Sequence, residues 1–290
     1  VVPKEIIRNI SQKEATTTLI SRILKPLQEI ITTKEKKPVF EYIEVTNSCG
    51  PYFEGVCLNV RSGPGKEYPV TSKLRNGVVL KVGERLESNN EIWYRIVFDE
   101  WIRYEDRLNG DWYVSGKYVK SFLDEGIQEL SKDFKVTTDK YILVDRSEQK
   151  LYAYEGKKLF MKESISTGIE LSPTPRGVFK VFKKTPSRYM QGPLPGISEK
   201  YYDLPGVPWN LYFTEQGAVI HGAYWHDNFG KKWSSGCVNL DPEKAKELYK
   251  DINSIIRNKI IKNKDIDIIK KDKRLKALTG EVIKNLPNDK

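Results

Sequence analysis

The feature that most limits what this chain can fold into is the shortness of its apolar runs. They are a few residues long, rich in Val, Ile, Tyr and Trp, and separated by Gly, Asn and Pro. Runs of that length read as strands, because a helix needs a sustained 3.6-residue period over ten or more positions. In the first half these are Leu58-Asn59-Val60, Val78 to Val82, Trp93 to Val97, Asp111 to Val114 and Tyr118-Val119, with a turn at Arg75-Asn76-Gly77. Such spacing fits a small β-barrel. In the second half Ala218-Val219-Ile220 is a further short strand. Helical pattern is confined to the borders: residues 4–34, broken at Pro26, and a helix opened by Asp241-Pro242-Glu243, with Asp as cap and Pro at the first position. The expected fold is mainly β, with helical N- and C-terminal extensions.

Chemistry concentrates in one stretch, HGAYWHDNFGKKWSSGCVNL. The chain has two histidines and three cysteines, and His221 lies sixteen positions before Cys237. A free thiol ionises near pH 8.5, so at neutral pH only a few per cent is the nucleophilic thiolate. A histidine within hydrogen-bond reach removes the proton and holds an imidazolium–thiolate pair. His221 falls at the end of the strand Ala218-Val219-Ile220. Cys237 is expected just before the helix that starts at Asp241, where the macrodipole favours an anion by ~0.3–1 kcal/mol. The backbone N–H groups of Ser235 and Gly236, with that of Cys237, are candidate oxyanion donors. A zinc site from His221, His226 and Cys237 is disfavoured, since there is no C-x-x-C or H-E-x-x-H pair and no fourth ligand.

His-Gly followed by Ser234-Ser235-Gly236-Cys237-Val238-Asn239 resembles the signature of the L,D-transpeptidase catalytic domain, the YkuD family. Three upstream segments resemble it too, in the expected order: the hairpin Tyr141 to Gly156, Ser166-Thr167-Gly168, and Thr174-Pro175-Arg176-Gly177 with Val178-Phe179-Lys180-Val181. The resemblance implies a β-sandwich-like domain over residues 136–252, with Cys237 as nucleophile, His221 as general base and the Gly222 carbonyl orienting the imidazole. It implies attack on the bond between the diamino acid and D-alanine of a peptidoglycan tetrapeptide. The side-chain amine of a second stem then resolves the thioester as a 3→3 crosslink, or water resolves it as carboxypeptidase activity. No metal or organic cofactor is implied, and carbapenems are implied as inhibitors. Residues 183–213 are rich in Pro, Gly and aromatics and read as a long loop, the family's lid and groove wall. Arg188, Tyr189, Met190 and Tyr212 are its expected substrate contacts. His226 belongs to the same wall in a positioning role, and Asn239 joins the substrate-binding set. Ser235 stands where many members have histidine, and the family's closing strand has no evident counterpart except Lys259 to Lys262 or Asp267 to Ile269.

Leu58 to Gly65 (LNVRSGPG) resembles the start of a bacterial SH3-like (SH3b) domain, which implies binding to cell-wall glycan or peptide. The stretch Phe98 to Asn109 is long for such a module and reads as an inserted loop. Cys49 and Cys57 are close enough in sequence to close a nine-residue loop, which chain entropy values at roughly 2.5 kcal/mol. That bond would place the chain in an oxidising space and leave Cys237 as the free thiol. The expected organisation is a helical segment at 1–40, the SH3-like domain at 41–122, a linker at 123–135, the catalytic domain at 136–252 and a basic tail at 253–290. The net charge of +10 is spread along the chain with no nucleic-acid motif, so the expected partners are peptidoglycan stem peptides and a wall rich in phosphate and carboxylate, not nucleic acid. These motifs belong outside the cytoplasm, in the cell wall or periplasm, so a leader or anchor absent from this sequence is expected. An NlpC/P60 peptidase places cysteine before histidine, the reverse of this order. A sortase needs an arginine soon after its cysteine, and the first here is Arg257. The non-enzymatic alternative is a catalytically impaired wall-binding module.

Overall fold

A computed structural model describes residues 37–108, 110–130, 140–194 and 197–253. The chain divides into two units, Val1–Pro38 and Val39–Lys290, and the second carries everything that follows. Residues 1–36 and 254–290, with the expected helical pattern at 4–34, nearly all of the basic tail and both candidate closing strands, lie outside the described residues, whereas the helix expected at Asp241 is described.

Seven strands form the first sheet: β1 (Phe40–Val45), β2 (Leu58–Arg61), β3 (Val70–Leu74), β4 (Val79–Ser88), β5 (Glu91–Ile96), β6 (Trp112–Ser115) and β7 (Val119–Asp124). Their order is β3-β2-β6-β5-β4-β1-β7. The β4–β5 hairpin closes Ser88 onto Glu91 through Asn89 and Asn90, both at positive φ. Asparagine tolerates that conformation, and a two-residue hairpin turn of the right twist demands it. Cys49 and Cys57 are joined in a disulfide, and Cys237 is the free cysteine.

The second half has two sheets. β9 (Lys140–Asp145), β10 (Lys150–Glu155) and β11 (Lys158–Ser164) form an antiparallel meander. The Asp145 carboxylate accepts the N–H groups of Ser147 (2.8 Å) and Glu148 (2.9 Å) to make the first turn. The other sheet runs β15-β14-β13-β12-β8, built from β8 (Gln128–Glu129), β12 (Lys183–Leu194), β13 (Ile197–Tyr212), β14 (Val219–Gly222) and β15 (Val238–Leu240). One helix, α1 (Pro242–Asn253), packs against β13 and β14.

Two expectations are corrected here. Residues 183–213 are not a loop but the long antiparallel pair β12 and β13. Proline breaks a strand by lacking the N–H a neighbour needs. Among the described residues the outer edge of β12 is paired only at Lys183 and Lys184, by β8, so Pro186 and Pro193 interrupt no described ladder on that side. The expected linker 123–135 supplies strand: β7 reaches Asp124, and Gln128–Glu129 forms the edge of the catalytic sheet.

The two halves share their cores. Tyr42 and Val79 of the barrel are buried with Leu151, Trp209, Leu211, Ile220, Leu240 and Tyr249. Conversely Val207 and Tyr224 are buried among the barrel residues Ile43, Val60, Leu80 and Trp112. Phe122, Trp209 and Tyr249 stack in a chain with centroids 5.2 and 5.3 Å apart, joining β7 to β13 and α1. Gly206 makes this approach possible: its φ is +63°, and a Cβ there would lie 2.5 Å from the Val79 carbonyl oxygen.

Candidate active site

β14 and β15 run parallel, with Ile220 opposite Val238, His221 opposite Asn239 and Gly222 opposite Leu240. Cys237 immediately precedes β15, level with Val219. Side chains alternate along strands, so His221 and Cys237 project from the same face of adjacent strands, two positions apart in register. Strand spacing and rise place their Cα atoms roughly 8 Å apart, within range for the two side chains to converge.

The imidazole is held in one orientation. His221 is 1% exposed, and its Nδ1 lies 3.0 Å from the carbonyl oxygen of Gly222. A carbonyl only accepts, so Nδ1 carries the proton and Nε2 presents a lone pair. Burial pushes the His221 pKa down to about 4, with His226 and Arg188 adding to the fall and the Gly222 hydrogen bond opposing it. His221 is therefore a neutral base at pH 7. Gly222 must be glycine, since a Cβ would meet Pro208 at 2.8 Å and the Pro242 backbone at 2.9 Å.

The thiol differs from expectation. Burial pushes the Cys237 pKa up, against the lowering effects of a backbone hydrogen bond from Val219 and of Arg188. The helix does not help. The strand β15 stands between Cys237 and α1, roughly 13 Å of extended chain, while the macrodipole acts over a single turn. Asp241 does cap α1, its Oδ1 accepting the N–H of Glu243 at 3.0 Å. Burial thus disfavours the charged form of both groups, thiolate and imidazolium.

The turn before Cys237 is clamped by two hydroxyls. Ser234 Oγ donates to the Cys237 carbonyl (2.6 Å) and accepts the Gly236 N–H (3.2 Å). Thr174 Oγ1 likewise donates to the Cys237 carbonyl (3.2 Å) and accepts the Gly168 N–H (2.8 Å). Gly236, at φ +110°, thus spends its N–H inside the turn and is not free for an oxyanion, which corrects that assignment. Ser235 is exposed, and its N–H and that of Cys237 are not used within the turn. Thr174 and Gly168 lie in segments with a family resemblance, and the clamp is the purpose that the structure adds; Gly168 admits no side chain there, a Cβ lying 2.1 Å from the Ser172 oxygen.

Of the expected groove residues, two meet the site. Arg188 donates from Nη1 to the Tyr212 hydroxyl, and both feel the charge of Cys237. Tyr189 and Met190 do not join them. The β12–β13 register shifts between Arg188 and Met190, which breaks alternation and turns both toward the barrel. Tyr189 packs on Phe98 at 5.2 Å and Met190 against the barrel core. His226 and Asn239 are each 2% exposed, with the His226 Nε2 2.8 Å from the Asn239 amide and Nδ1 accepting the Asn228 N–H at 3.2 Å. Asn239 is the strand partner of His221, and His226 is tied to it. Among the described residues no group of His, Cys, Asp and Glu is arranged to hold a metal ion.

No curated protein matches the chain. Among solved structures it is similar to a cysteine-to-serine mutant of Enterococcus faecium L,D-transpeptidase, at 28% identity over 40% of this chain and 47% of that one, with a TM-score of 0.36. It is also similar to the catalytic domain of the E. faecium L,D-transpeptidase acylated by ertapenem (27%, 42% and 95%, TM-score 0.36) and to an L,D-transpeptidase from Mycobacterium smegmatis (19%, 58% and 88%, TM-score 0.37). The chain thus spans less than half the length of the first of these. Two family models match, in chain order: a bacterial SH3 domain over residues 56–120 and, over residues 139–268, the L,D-transpeptidase catalytic domain YkuD, the segment that brings His221 and Cys237 together.

Proposed function

We propose that this protein is an exported peptidoglycan L,D-transpeptidase that forms 3→3 crosslinks through a thioester on Cys237. The observation that carries the reading is the His221 tautomer: Nδ1 is tied to the Gly222 carbonyl, which leaves Nε2 as a base on the face that Cys237 shares. The thiol proton passes to Nε2 as sulfur attacks the carbonyl between the stem's diamino acid and D-alanine. The imidazolium returns that proton to the departing D-alanine nitrogen, leaving thioester and neutral imidazole. A second stem's amine then resolves the thioester, and water in its place gives carboxypeptidase activity. Arg188, fixed on Tyr212, supplies positive charge beside the sulfur while it is anionic. The barrel is proposed to hold the wall polymer, outside the cytoplasm.

The test is intact-mass spectrometry of the protein with a carbapenem and, separately, with a disaccharide-tetrapeptide, beside Cys237→Ala. The expected result is an adduct on the wild type alone and release of D-alanine with dimer formation. A folded wild-type protein that takes no adduct and turns over no tetrapeptide would leave the alternative, a wall-binding module with an impaired site.

A further inference from the structure

Between the barrel and β13 lies a cavity of about 230 Å³ that neither His221 nor Cys237 lines. Three cations converge on it: Lys73 of β3, Arg75 in the turn that follows, and Arg107 from the inserted loop. Among the described residues none of the three is in an ion pair. The lining holds one carboxylate, Asp203 of β13, and it is already engaged. It accepts Gln191 Nε2 at 3.1 Å and the Tyr189 hydroxyl. Three cations thus face a single, occupied carboxylate.

Both guanidinium groups are held in place by aromatic rings and not by anions. Arg75 lies between Phe53 and Tyr224, 4.3 and 5.1 Å from their centroids, and its Nη1 donates to the Pro51 carbonyl at 2.9 Å. Glu54, whose charge acts on it, accepts the Tyr52 N–H at 2.7 Å instead. Arg107 lies between Tyr104 and Tyr201 at 4.1 and 3.3 Å, and its Nη1 is buried with no hydrogen-bond partner among the described residues. Holding cations out of water without an anion costs free energy. Stacking fixes the planes and leaves N–H edges for a ligand. At the rim the exposed Phe53 adopts φ +64°, rare for a bulky side chain. The Cys49–Cys57 disulfide closes the loop that carries it.

We propose that this cavity is a phosphate-binding site and that it takes a phosphodiester of an anionic cell-wall polymer. Two guanidinium forks and an ammonium can each meet a different oxygen of a tetrahedral oxyanion, whereas a planar carboxylate has one oxygen too few. The cavity is smaller than the roughly 300–1,000 Å³ that encloses a drug-sized ligand, so it suits one charged group of a chain that runs on past it. A disulfide at the rim belongs to an oxidising space, which favours a wall polymer over a nucleic acid. The wall setting rests on the function proposed above; the phosphate site does not. The cavity also adjoins the catalytic strand. Tyr224 packs on Trp225 at 5.1 Å and Trp225 on His221 at 5.6 Å, so a polymer held here lies beside the catalytic sheet.

The experiment is titration calorimetry of the full chain with poly(glycerol phosphate), inorganic phosphate, N-acetylmuramic acid as a carboxylate, and single-stranded DNA. Lys73→Gln and Arg107→Gln each remove one cavity charge, and Lys73 is exposed, so its loss spares the fold. Lys117→Gln removes an exposed barrel charge that does not line the cavity. The expected result is binding of poly(glycerol phosphate), competition by inorganic phosphate, and a loss of roughly tenfold in each cavity variant but not in Lys117→Gln. Equal losses in all three variants would mean diffuse charge and overturn the proposal, as would unchanged binding in the cavity variants. N-acetylmuramic acid binding as tightly as phosphate overturns the phosphate assignment. DNA binding as tightly as the polymer, and weakened by the same variants, makes the site one for nucleic acid and overturns the wall polymer. Carbapenem acylation is followed on the same samples. A wild type that binds the polymer but is not acylated sinks the transpeptidase reading and leaves this site standing, and one that is acylated but does not bind sinks this proposal alone.

Discussion

Replacing His221 by Asn removes a buried base and should change how stability depends on pH. Burial holds the His221 pKa near 4 in the folded protein, while in the unfolded chain it returns to about 6.5. The unfolded state therefore binds the proton first, and folding stability falls as pH drops from about 6.5 toward 4. Above pH 7 both states are neutral and the contribution is fully present. Linkage between these two values gives a loss of about 2 kcal/mol between pH 7 and pH 5, rising to about 3 kcal/mol below pH 4. Glu100 titrates in the opposite sense over part of this window, because its raised pKa lets the folded state bind the proton first. His226, also pushed down to about 4 by burial, works in the same direction as His221. The total slope is therefore not diagnostic, and the difference between the two proteins is. Asn retains a donor for the Gly222 carbonyl, so the fold should tolerate it. Urea unfolding followed by tryptophan fluorescence at pH 7 and pH 5 should show the wild type losing about 2 kcal/mol more than His221→Asn. Equal losses would mean that His221 is protonated in the folded state at pH 5, and the neutral-base account of the site would fall. The kinetic counterpart is an acid limb for carbapenem acylation well below pH 6.5.

Lys246 of α1 pairs with Glu44 of β1, which is 3% exposed. Lys246→Met strands that carboxylate and should cost roughly 2–4 kcal/mol in urea unfolding, with much of it recovered in the double variant carrying Glu44→Gln. Gly206→Ala forces a Cβ at positive φ against the Val79 carbonyl, and should lower stability by roughly 2–3 kcal/mol. Because the halves share cores, a single calorimetric transition should move as one. Two separate transitions, one of them unmoved, would argue against the shared core. Thr174→Val removes one of the two hydroxyls on the Cys237 carbonyl, and should slow acylation by roughly tenfold, the effect of one buried hydrogen bond. Retention of the wild-type rate would show that Ser234 alone fixes the turn.

What the sequence made legible was local. His221, Gly222 and Cys237 could be read because strand end, glycine and nucleophile fall within one short stretch, and one strand pairing brings them together. What it hid was non-local or broke a period. The Thr174 clamp on Cys237 spans 63 residues, and the Glu100 contact with Tyr189 spans 89. Neither leaves a pattern along the chain. Tyr189 and Met190 leave the groove because a register shift undoes the alternation that assigns faces. The strands β12 and β13 were hidden by their prolines, whose cost depends on whether a neighbour needs the missing N–H, and no single-chain pattern shows that.

The same non-local contacts alter what the barrel is for. Read as a module on a linker, it is a wall anchor whose removal leaves chemistry intact. In the fold, Tyr42 and Val79 belong to the core beneath β13 and β14, Ser187 of β12 donates to the Val79 carbonyl at 2.5 Å, and Tyr52 in the disulfide loop donates to Asp227 at 2.8 Å. The strand that carries His221 and the loop after it are therefore set partly by barrel residues. Cutting the chain between the halves exposes Trp209, which is 2% exposed when its neighbours are present, together with the apolar face it packs on. Burial of an aromatic side chain of that size stabilises by roughly 2–3 kcal/mol. The barrel is thus a wall of the catalytic domain, and the geometry of the His221–Cys237 pair depends on it.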